Sequence, residues 1–379
     1  MKVLHIVRNI PVKSLQGNPV ILDLLTNLKK IGIENKILFP AEYIPKVPFL
    51  NKRAIVFSEL KGSYTINEFK LLFVNFIRIP GKNAFFLSQY YFNKASIDDF
   101  ANGFDCIHAH YIQPDGIIAH TLSQRKAIPY IVTVRQGDVD RIRLLKKTNP
   151  TFSLLEKVLR ASSSIISVNP NIAMFIKDLF NLDSVVIPHG VDGNLIEKYT
   201  SSNDAVKFIV SAQFIKRKNI DWVVNSLNEL SKQSLNNYQL TIVGRGELEY
   251  DIRKLAANNS NIVFMPWMNK DALMEEFKRS DVFVMVSDNE TFGMVYIEAA
   301  AKNCLVIGKK NTGVDGYFQN EVNAFFVSDQ EELTQLLKNI LQGHVDIKKI
   351  SEAGVNLVER TMTWEVVSEK YLGIYKRAI

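Results

Sequence analysis

The segment Ser287-Asp-Asn-Glu290-Thr-Phe-Gly293-Met-Val-Tyr-Ile-Glu298 carries the residue types in this chain best suited to chemistry. An apolar run over 282–286 reads as a β-strand, a polar loop with Glu290 follows it, and a helix opens near Gly293 and carries Glu298. That order places both carboxylates at the carboxyl end of a strand. The first turn of a helix offers backbone N–H groups without intrahelical partners and the positive end of the helix dipole, which together favour an anion such as a diphosphate. A glycine at 293 lets that anion come close to the backbone. Each carboxylate can accept hydrogen bonds from sugar or ribose hydroxyls. Two glutamates eight residues apart mean little alone, since any exposed helix supplies them. The strand–loop–glycine–helix context makes them a candidate site.

Those residues need elements to hold them. Short runs rich in Val and Ile alternate with longer amphipathic segments, the pattern of βαβ units around a parallel sheet buried on both faces. The spacing predicts strands over 3–7, 36–39, 106–109, 130–134 and 164–167 in the first half. In the second half it predicts strands over 208–212, 239–243, 262–264, 282–286, 304–307 and 324–327. Helices are expected over 19–31, closed by Gly32, and over 114–126, 151–161, 220–232, 248–257, 270–279, 293–302, 330–342 and 364–377. Residues 43–100 break the alternation, mixing Phe-rich stretches such as 69–78 with Pro, Gly and Lys. They are expected to form a variable part of the first domain with at least one amphipathic helix, packed on the core or touching a membrane. The run over 185–192 reads as a strand leading into a linker. With 379 residues, two domains are expected, each a doubly wound α/β sheet with ligands at the carboxyl ends of its strands.

In the first half, His108 and His110 follow one another at a strand end and are expected to point to opposite faces. His108 reads as a core histidine with its hydrogen bonds satisfied; His110 is open between that reading and a functional one. No partners stand at metal-ligand spacing, so no catalytic metal is expected. Arg135, at the end of an apolar strand, reads either as a charge facing a cleft or as a stray surface charge. Gly244-Arg-Gly246 reads as a strand-ending turn rather than a phosphate cradle. The absence of G-x-G-x-x-G and of a Walker A loop after any strand argues against NAD binding and ATP hydrolysis.

Composition narrows the class further. Hydrophobic residues make up 47% and charged residues 22%, as in ordinary globular chains. The two cysteines, Cys106 and Cys304, lie in apolar runs and are too few for a disulfide framework, as expected of a cytoplasmic protein. No run of about 18 apolar residues suggests a membrane-spanning helix, and Arg8 and Asn9 interrupt the first apolar stretch too early for a signal peptide. Charge is uneven: residues 1–190 hold 24 basic and 14 acidic residues, a balance of +10, and residues 191–379 hold 22 and 25, a balance of −3. The basic half reads either as scattered solvated lysines or as a surface for an anionic partner: a membrane, a lipid phosphate or nucleic acid. Weak peripheral contact with anionic lipid at the inner face of the membrane is the expectation carried forward, and nucleic-acid binding is not.

Taken together, the motifs resemble a known family. The segment from Glu290 to Glu298 resembles the E-x7-E motif of retaining glycosyltransferases of the GT-B fold, family 4. Asp105-Cys-Ile-His-Ala-His110-Tyr is similar to that family's HxHY-type strand and loop. Val132-Thr-Val-Arg-Gln-Gly-Asp138, Val186-Ile-Pro-His-Gly-Val-Asp192, Ile215-Lys-Arg-Lys218-Asn and Leu240-Thr-Ile-Val-Gly-Arg-Gly246 resemble further family segments, in the family's order. The resemblance spans nearly the whole chain. It implies two Rossmann-like domains facing a central cleft: residues 1–190 for the acceptor, 191–360 for the nucleotide-sugar, and 361–379 as a last helix crossing back to the first domain. It implies that Lys218, with Arg217 beside it, contacts the donor diphosphate. Glu298 would bind the ribose, Glu290 would face the transferred sugar, and the backbone around Phe292, Gly293, Met294 and Val295 would meet sugar or phosphate. His110 and Asp138 would lie near the reacting sugar and acceptor. The implied activity is metal-independent transfer of a hexosyl group from a nucleoside-diphosphate sugar to a saccharide or lipid-linked acceptor, with retention, in surface polysaccharide or glycolipid synthesis. The sequence departs from the family at Gln213, where Arg is usual, and at Gly316, where Glu is common. Those departures motivate an alternative: a GT-B subunit that binds nucleotide-sugar or a partner without turnover.

Overall fold

The computed structural model describes residues 1–12, 15, 17–43, 60–77, 94–197 and 205–379. The chain divides into two compact units. One comprises Met1–Val168, Ile172–Ile187 and Ser368–Ile379, and the other Asn169–Asn171 and Pro188–Val367.

The first unit is built on an eight-stranded sheet: β1 (Lys2–Ile6), β2 (Glu34–Tyr43), β3 (Ser63–Ile66), β4 (Phe69–Ile77), β5 (Cys106–Ala109), β6 (Tyr130–Val134), β7 (Ser164–Ser167) and β8 (Val185–Val186). Their order is β3-β4-β2-β1-β5-β6-β7-β8, and every pairing is parallel except β3 with β4. The central strands are buried along their length, as both-sided helix cover requires. The helix Pro150–Arg160 shows why local sequence settles the cover. Asn149 accepts from Thr151 N at 2.9 Å, Pro150 occupies the first turn, and Phe152, Leu155, Val158 and Leu159 form the buried face.

Within residues 43–100 the structure adds two strands that the sequence pattern did not mark. Residues 69–77 form β4, which runs parallel to β2 and joins β3 through a hairpin at Asn67, φ 52°. The continuous run Leu71-Leu72-Phe73-Val74 is buried on both faces, so it shows neither alternation nor a helical stripe. A short helix does follow, at Lys94–Phe100. The rest of the expected variable region, 44–59 and 78–93, lies outside the described residues. The predicted helix over 114–126 starts later: 112–116 form a tight turn of π type, and the α-helix is Ile117–Lys126.

The second unit holds six parallel strands: β9 (Val206–Ser211), β10 (Tyr238–Val243), β11 (Ile262–Met265), β12 (Val282–Val284), β13 (Leu305–Lys309) and β14 (Phe325–Val327), in the order β11-β10-β9-β12-β13-β14. Its helices include Ile220–Lys232, Met294–Ala301 and Gln330–Leu341. The last of these is capped by Asp329, which accepts from Glu332 N at 2.9 Å, and buries Leu333, Leu336, Leu337 and Ile340 at helical spacing. Three helices escaped the sequence pattern, Gln136–Arg143, Pro170–Phe180 and Ile347–Thr361. The final helix, Trp364–Ala378, starts in the second unit and belongs to the first from Ser368 onward. Cys106 and Cys304 are free and buried, and burial pushes both thiols up. Among the described residues no helix is long and apolar enough to cross a membrane.

The turn Gly244-Arg245-Gly246 lies against residues 212–214. A Cβ at Gly244 would stand 2.0 Å from Ala212 O, and one at Gly246 would stand 2.4 Å from Phe214 O. Close approach of two loops requires these glycines, so the turn is structural. By contrast, a Cβ at Gly137, in the first turn of the helix Gln136–Arg143, meets nothing within 4 Å. Gly246→Ala is therefore expected to lower unfolding stability by about 2 kcal/mol or more, and Gly137→Ala to raise it by up to about 1 kcal/mol. Urea denaturation midpoints of the two variants check both signs.

Candidate functional site

In each unit the strand order reverses at one point, and there the loops leaving two neighbouring strands part in opposite directions. That point lies between β9 and β12 in the second unit and between β1 and β5 in the first. Open α/β sheets expose a crevice at such points, at the carboxyl edge.

In the second unit, the loop after β9 carries Arg217 and Lys218, and the loop after β12 carries Glu290. Lys218 Nζ lies 2.5 Å from Glu290 Oε2 and 3.8 Å from Met285 Sδ, and Arg217 reaches the same carboxylate oxygen at 3.4 Å. The Lys218 and Glu290 side chains are 11% and 15% exposed, so this pair is shielded more than a surface ion pair. Gly293 caps the helix Met294–Ala301 at φ 77°. A side chain there would adopt a disfavoured backbone and put a Cβ 2.5 Å from the Tyr296 ring. Met294 and Val295 are half-buried on the first turn. The Phe292 side chain is core, edge-on to His189 at 5.1 Å and to Tyr317 at 5.7 Å between ring centroids, so only its backbone can serve a ligand. Glu298, one turn on, pairs with Lys270 at 3.1 Å.

These loops are locked to one another. Asn219 Nδ2 donates to Val286 O at 2.9 Å and to Asp288 Oδ2 at 3.2 Å, and Asp288 N donates to Arg217 O at 2.7 Å. Lys309, at the end of β13, completes the set with Asp288 at 2.6 Å while lying 4.4 Å from the centre of the Trp222 ring. The lysine holds the Asp288 carboxyl below its usual range against the opposing effect of burial. Thr312 Oγ1 donates to Ser287 O at 3.0 Å, and Gly313 N donates to Glu290 O at 2.9 Å. Asp288, Lys309 and Thr312 were not singled out in the sequence; each belongs to a loop whose neighbour is set by sheet order alone. Of the two departures, Gln213 is exposed on the loop after β9, and Gly316 has φ 92°.

In the first unit, His110 follows β5 and His5 lies on β1, register-paired with His108. Residues two apart on a strand share a face, and His108 and His110 do: their rings stack with centroids 4.1 Å apart. The expectation of opposite faces is thereby corrected. His108 is a satisfied core histidine, with Nδ1 2.8 Å from Tyr375 OH and Nε2 2.8 Å from Thr133 Oγ1. His110 is also fully buried, its Nε2 3.0 Å from His5 Nδ1. Burial pushes His5 down to about 4 and His108 well below its usual value, so both rings are neutral at pH 7.

Arg135 is not a stray surface charge: it is 3% exposed, its Nε donates to His110 O at 3.1 Å, and its guanidinium lies 5.4 Å from the Tyr111 ring centre. Asp138 accepts from Ile112 N at 3.2 Å and from Arg135 N at 3.1 Å, so its carboxylate pins the loop after β5 to the loop after β6. Burial pushes Asp138 up to about 7. Asp115, which the sequence reading passed over, is fully buried, and neither of its oxygens finds a hydrogen-bond partner among the described residues. Burial, reinforced by Asp138, raises its pKa well above the carboxylate range.

A carboxyl that holds its proton more tightly when folded costs stability as pH rises above the unfolded value of about 4, at a limiting slope of about 1.4 kcal/mol per pH unit. The neutral isostere escapes that cost. Asp115→Asn is therefore expected to gain stability relative to the parent between pH 5 and pH 8, read from thermal or urea unfolding at both values. A difference that stays flat with pH would show that Asp115 is ionised in the fold.

Comparisons with known proteins converge. Residues 191–356 match the family model described as glycosyl transferases group 1, and residues 20–194 match glycosyltransferase family 4. An uncharacterised glycosyltransferase of Methanocaldococcus jannaschii is 25% identical over 304 residues, 74% of this chain and 82% of that protein. A capsular polysaccharide biosynthesis glycosyltransferase, CapH of Staphylococcus aureus, is 24% identical over 280 residues, 71% of this chain and 77% of that one. Among solved structures, Anabaena HepE in complex with UDP superposes with a TM-score of 0.70 at 15% identity, covering 99% of this chain and 100% of that one.

Proposed function

Because the chain belongs to the group 1 glycosyltransferases of the GT-B fold, we propose that it moves a hexosyl group from a nucleoside-diphosphate sugar held by the second unit. The acceptor, a saccharide or lipid-linked sugar, is bound by the first unit, and the product enters surface polysaccharide or glycolipid synthesis. The observation that carries this reading is the meeting of Lys218 and Glu290 beside the opening of the helix Met294–Ala301. The UDP-bound relative and the capsular relative support the donor and the setting.

The chemistry follows from charge. When the bond between sugar and diphosphate breaks, negative charge builds on the departing phosphate oxygen. A fixed ammonium and unpaired helix N–H groups stabilise charge where it develops and need no reorganisation at that moment. Without donor, Glu290 satisfies Lys218; a diphosphate, with more charge than one carboxylate, displaces it. Glu290 is then released to accept hydrogen bonds from the sugar hydroxyls. Glu298 accepts from the ribose. In the first unit His110 meets the reacting sugar or the acceptor, while Asp138 holds its loop in shape. Retention is assigned to attack from the face that the nucleotide leaves, without a covalent glycosyl-enzyme intermediate. Lys218, Arg217 and the helix N–H groups neutralise the diphosphate without a metal.

A scan of UDP-, GDP- and ADP-sugars with the purified chain, reading free nucleotide released, tests the assignment. Glu290→Ala is expected to lower turnover at least about a hundredfold, and Glu298→Ala to raise the donor KM with a smaller change in kcat. Full turnover in Glu290→Ala would remove the site. Thermal stabilisation by nucleotide diphosphates without turnover of any donor would favour the non-catalytic alternative that Gln213 and Gly316 motivate.

Membrane contact is the second part of the proposal. Leu144 and Met174 stand 86% and 62% exposed in the first unit. Arg143 lies over the Phe175 ring at 5.4 Å, and Lys146 and Lys147 are exposed beside it. Apolar tips among basic residues suit an anionic lipid surface. The chain is expected to co-sediment with vesicles containing anionic lipid and to release at high salt. Leu144→Glu is expected to abolish the binding; binding that high salt leaves intact would overturn its electrostatic origin.

A further inference from the structure

The ligand atoms of His5, His108 and His110 all lie within 4.8 Å of one another, close enough to pose the question of a metal. Their hydrogen bonds answer it differently. Both nitrogens of His5 and both nitrogens of His108 already hold protein partners at 2.8–3.0 Å. Asn35, His5 and His110 form a hydrogen-bonded string, while His108 bonds Tyr375 and Thr133 and only stacks on it, so the three rings do not present converging lone pairs. One end of that string has a fixed polarity that can be followed from atom to atom.

Asn35 sets it. Its Nδ2 donates to two backbone carbonyls, Leu25 O and Ile33 O, both at 3.1 Å. Carbonyls only accept, so the amide cannot be flipped, and Oδ1 is the atom that faces His5 Nε2 at 2.9 Å. An amide oxygen also only accepts, so the hydrogen between them belongs to His5 Nε2. A neutral imidazole has one N–H, which leaves His5 Nδ1 as an acceptor. The atom 3.0 Å from it, His110 Nε2, must therefore be the donor.

We infer that Asn35 and His5 are positioning residues that fix His110 as its Nε2–H tautomer, so that Nδ1 is the atom through which His110 accepts a hydrogen bond from a sugar or acceptor hydroxyl. His108, stacked on His110 at 4.1 Å, holds the plane of the ring. The titratable and charged groups around the string belong to several elements: His108 on β5, Tyr371 and Tyr375 on the final helix, and Arg135 after β6. None of these groups meets the Nε2–Nδ1 contact in place of His5. The role given to His110 rests on the proposed transferase reading; the tautomer does not.

The test is a long-range 15N–1H spectrum of the full-length protein labelled at histidine, with the His110 signals assigned by their loss in His110→Gln. A protonated Nε2 and an unprotonated Nδ1 are expected. A proton on Nδ1 in the parent protein would overturn the inference without any variant. Asn35→Leu, which removes the anchoring oxygen, is expected to give His110 as mixed tautomers. It should also lower kcat on the order of tenfold while leaving the donor KM within about twofold. Asn35→Asp keeps an acceptor for His5 Nε2 and should keep the parent tautomer and most of kcat even where stability falls. An unchanged His110 tautomer in folded Asn35→Leu would sink the positioning role. Absence of turnover in the parent protein with every donor would instead sink the transferase reading and leave the tautomer assignment standing.

Discussion

A parallel sheet sends every strand out on the same edge, and its crossovers cover most of that edge with helices. Only where the strand order reverses do two adjacent loops part and leave room for a ligand. Both units of this protein obey that constraint, and their polar side chains gather accordingly. Between β9 and β12 stand Lys218 and Glu290; between β1 and β5 stand His5 and His110. The apolar clusters on either face of each sheet fix the strand order. Residues with no sequence relationship then become neighbours through that order.

The cost of placing charge at a half-buried edge explains how the second unit is wired. An unpaired lysine or glutamate at this depth would lose hydration without compensation. Lys218 and Glu290 answer one another, Asp288 answers Lys309, and Glu298 answers Lys270. The first pair joins two loops, the second a loop to the end of β13, and the third two helices, so neutralising charge and holding geometry are the same set of contacts. A ligand that brings its own negative charge can replace a carboxylate at Lys218 without leaving the ammonium exposed to an apolar wall.

Much of this was legible in the sequence where local pattern decides the outcome. Alternation of Val- and Ile-rich runs with amphipathic segments gave the strands near 106–109, 130–134 and 164–167 and the two-sheet plan. The strand, glycine and helix around Gly293 stand where the motif placed them. What failed had physical reasons. Residues 71–74 of β4 are buried on both faces, which erases the alternation that marks a strand. His108 and His110 share a face because the strand period is two, a rule the motif reading misapplied. His5 and Asn35 could not be found from spacing at all. They reach His110 only through the pairing of β1 with both β2 and β5, and register is a property of the folded sheet. Asp115 stood in the predicted helix over 114–126 with nothing to mark it, and only its burial distinguishes it.

The two units differ in the kind of polarity they store. In the first, burial lowers the affinity of His5 and His108 for protons and raises that of Asp115 and Asp138. All four shifts push toward neutral forms, the state a low-dielectric site tolerates. In the second, opposite charges persist as pairs. A neutral, tautomer-fixed network discriminates among hydroxyl groups by direction, since a donor and an acceptor are not interchangeable. A charged network holds a dianion by strength and places it less selectively. An acceptor sugar offers only hydroxyls and a nucleoside diphosphate offers mainly charge, so the proposed division of labour between the units follows from which polar groups each sheet can afford to bury.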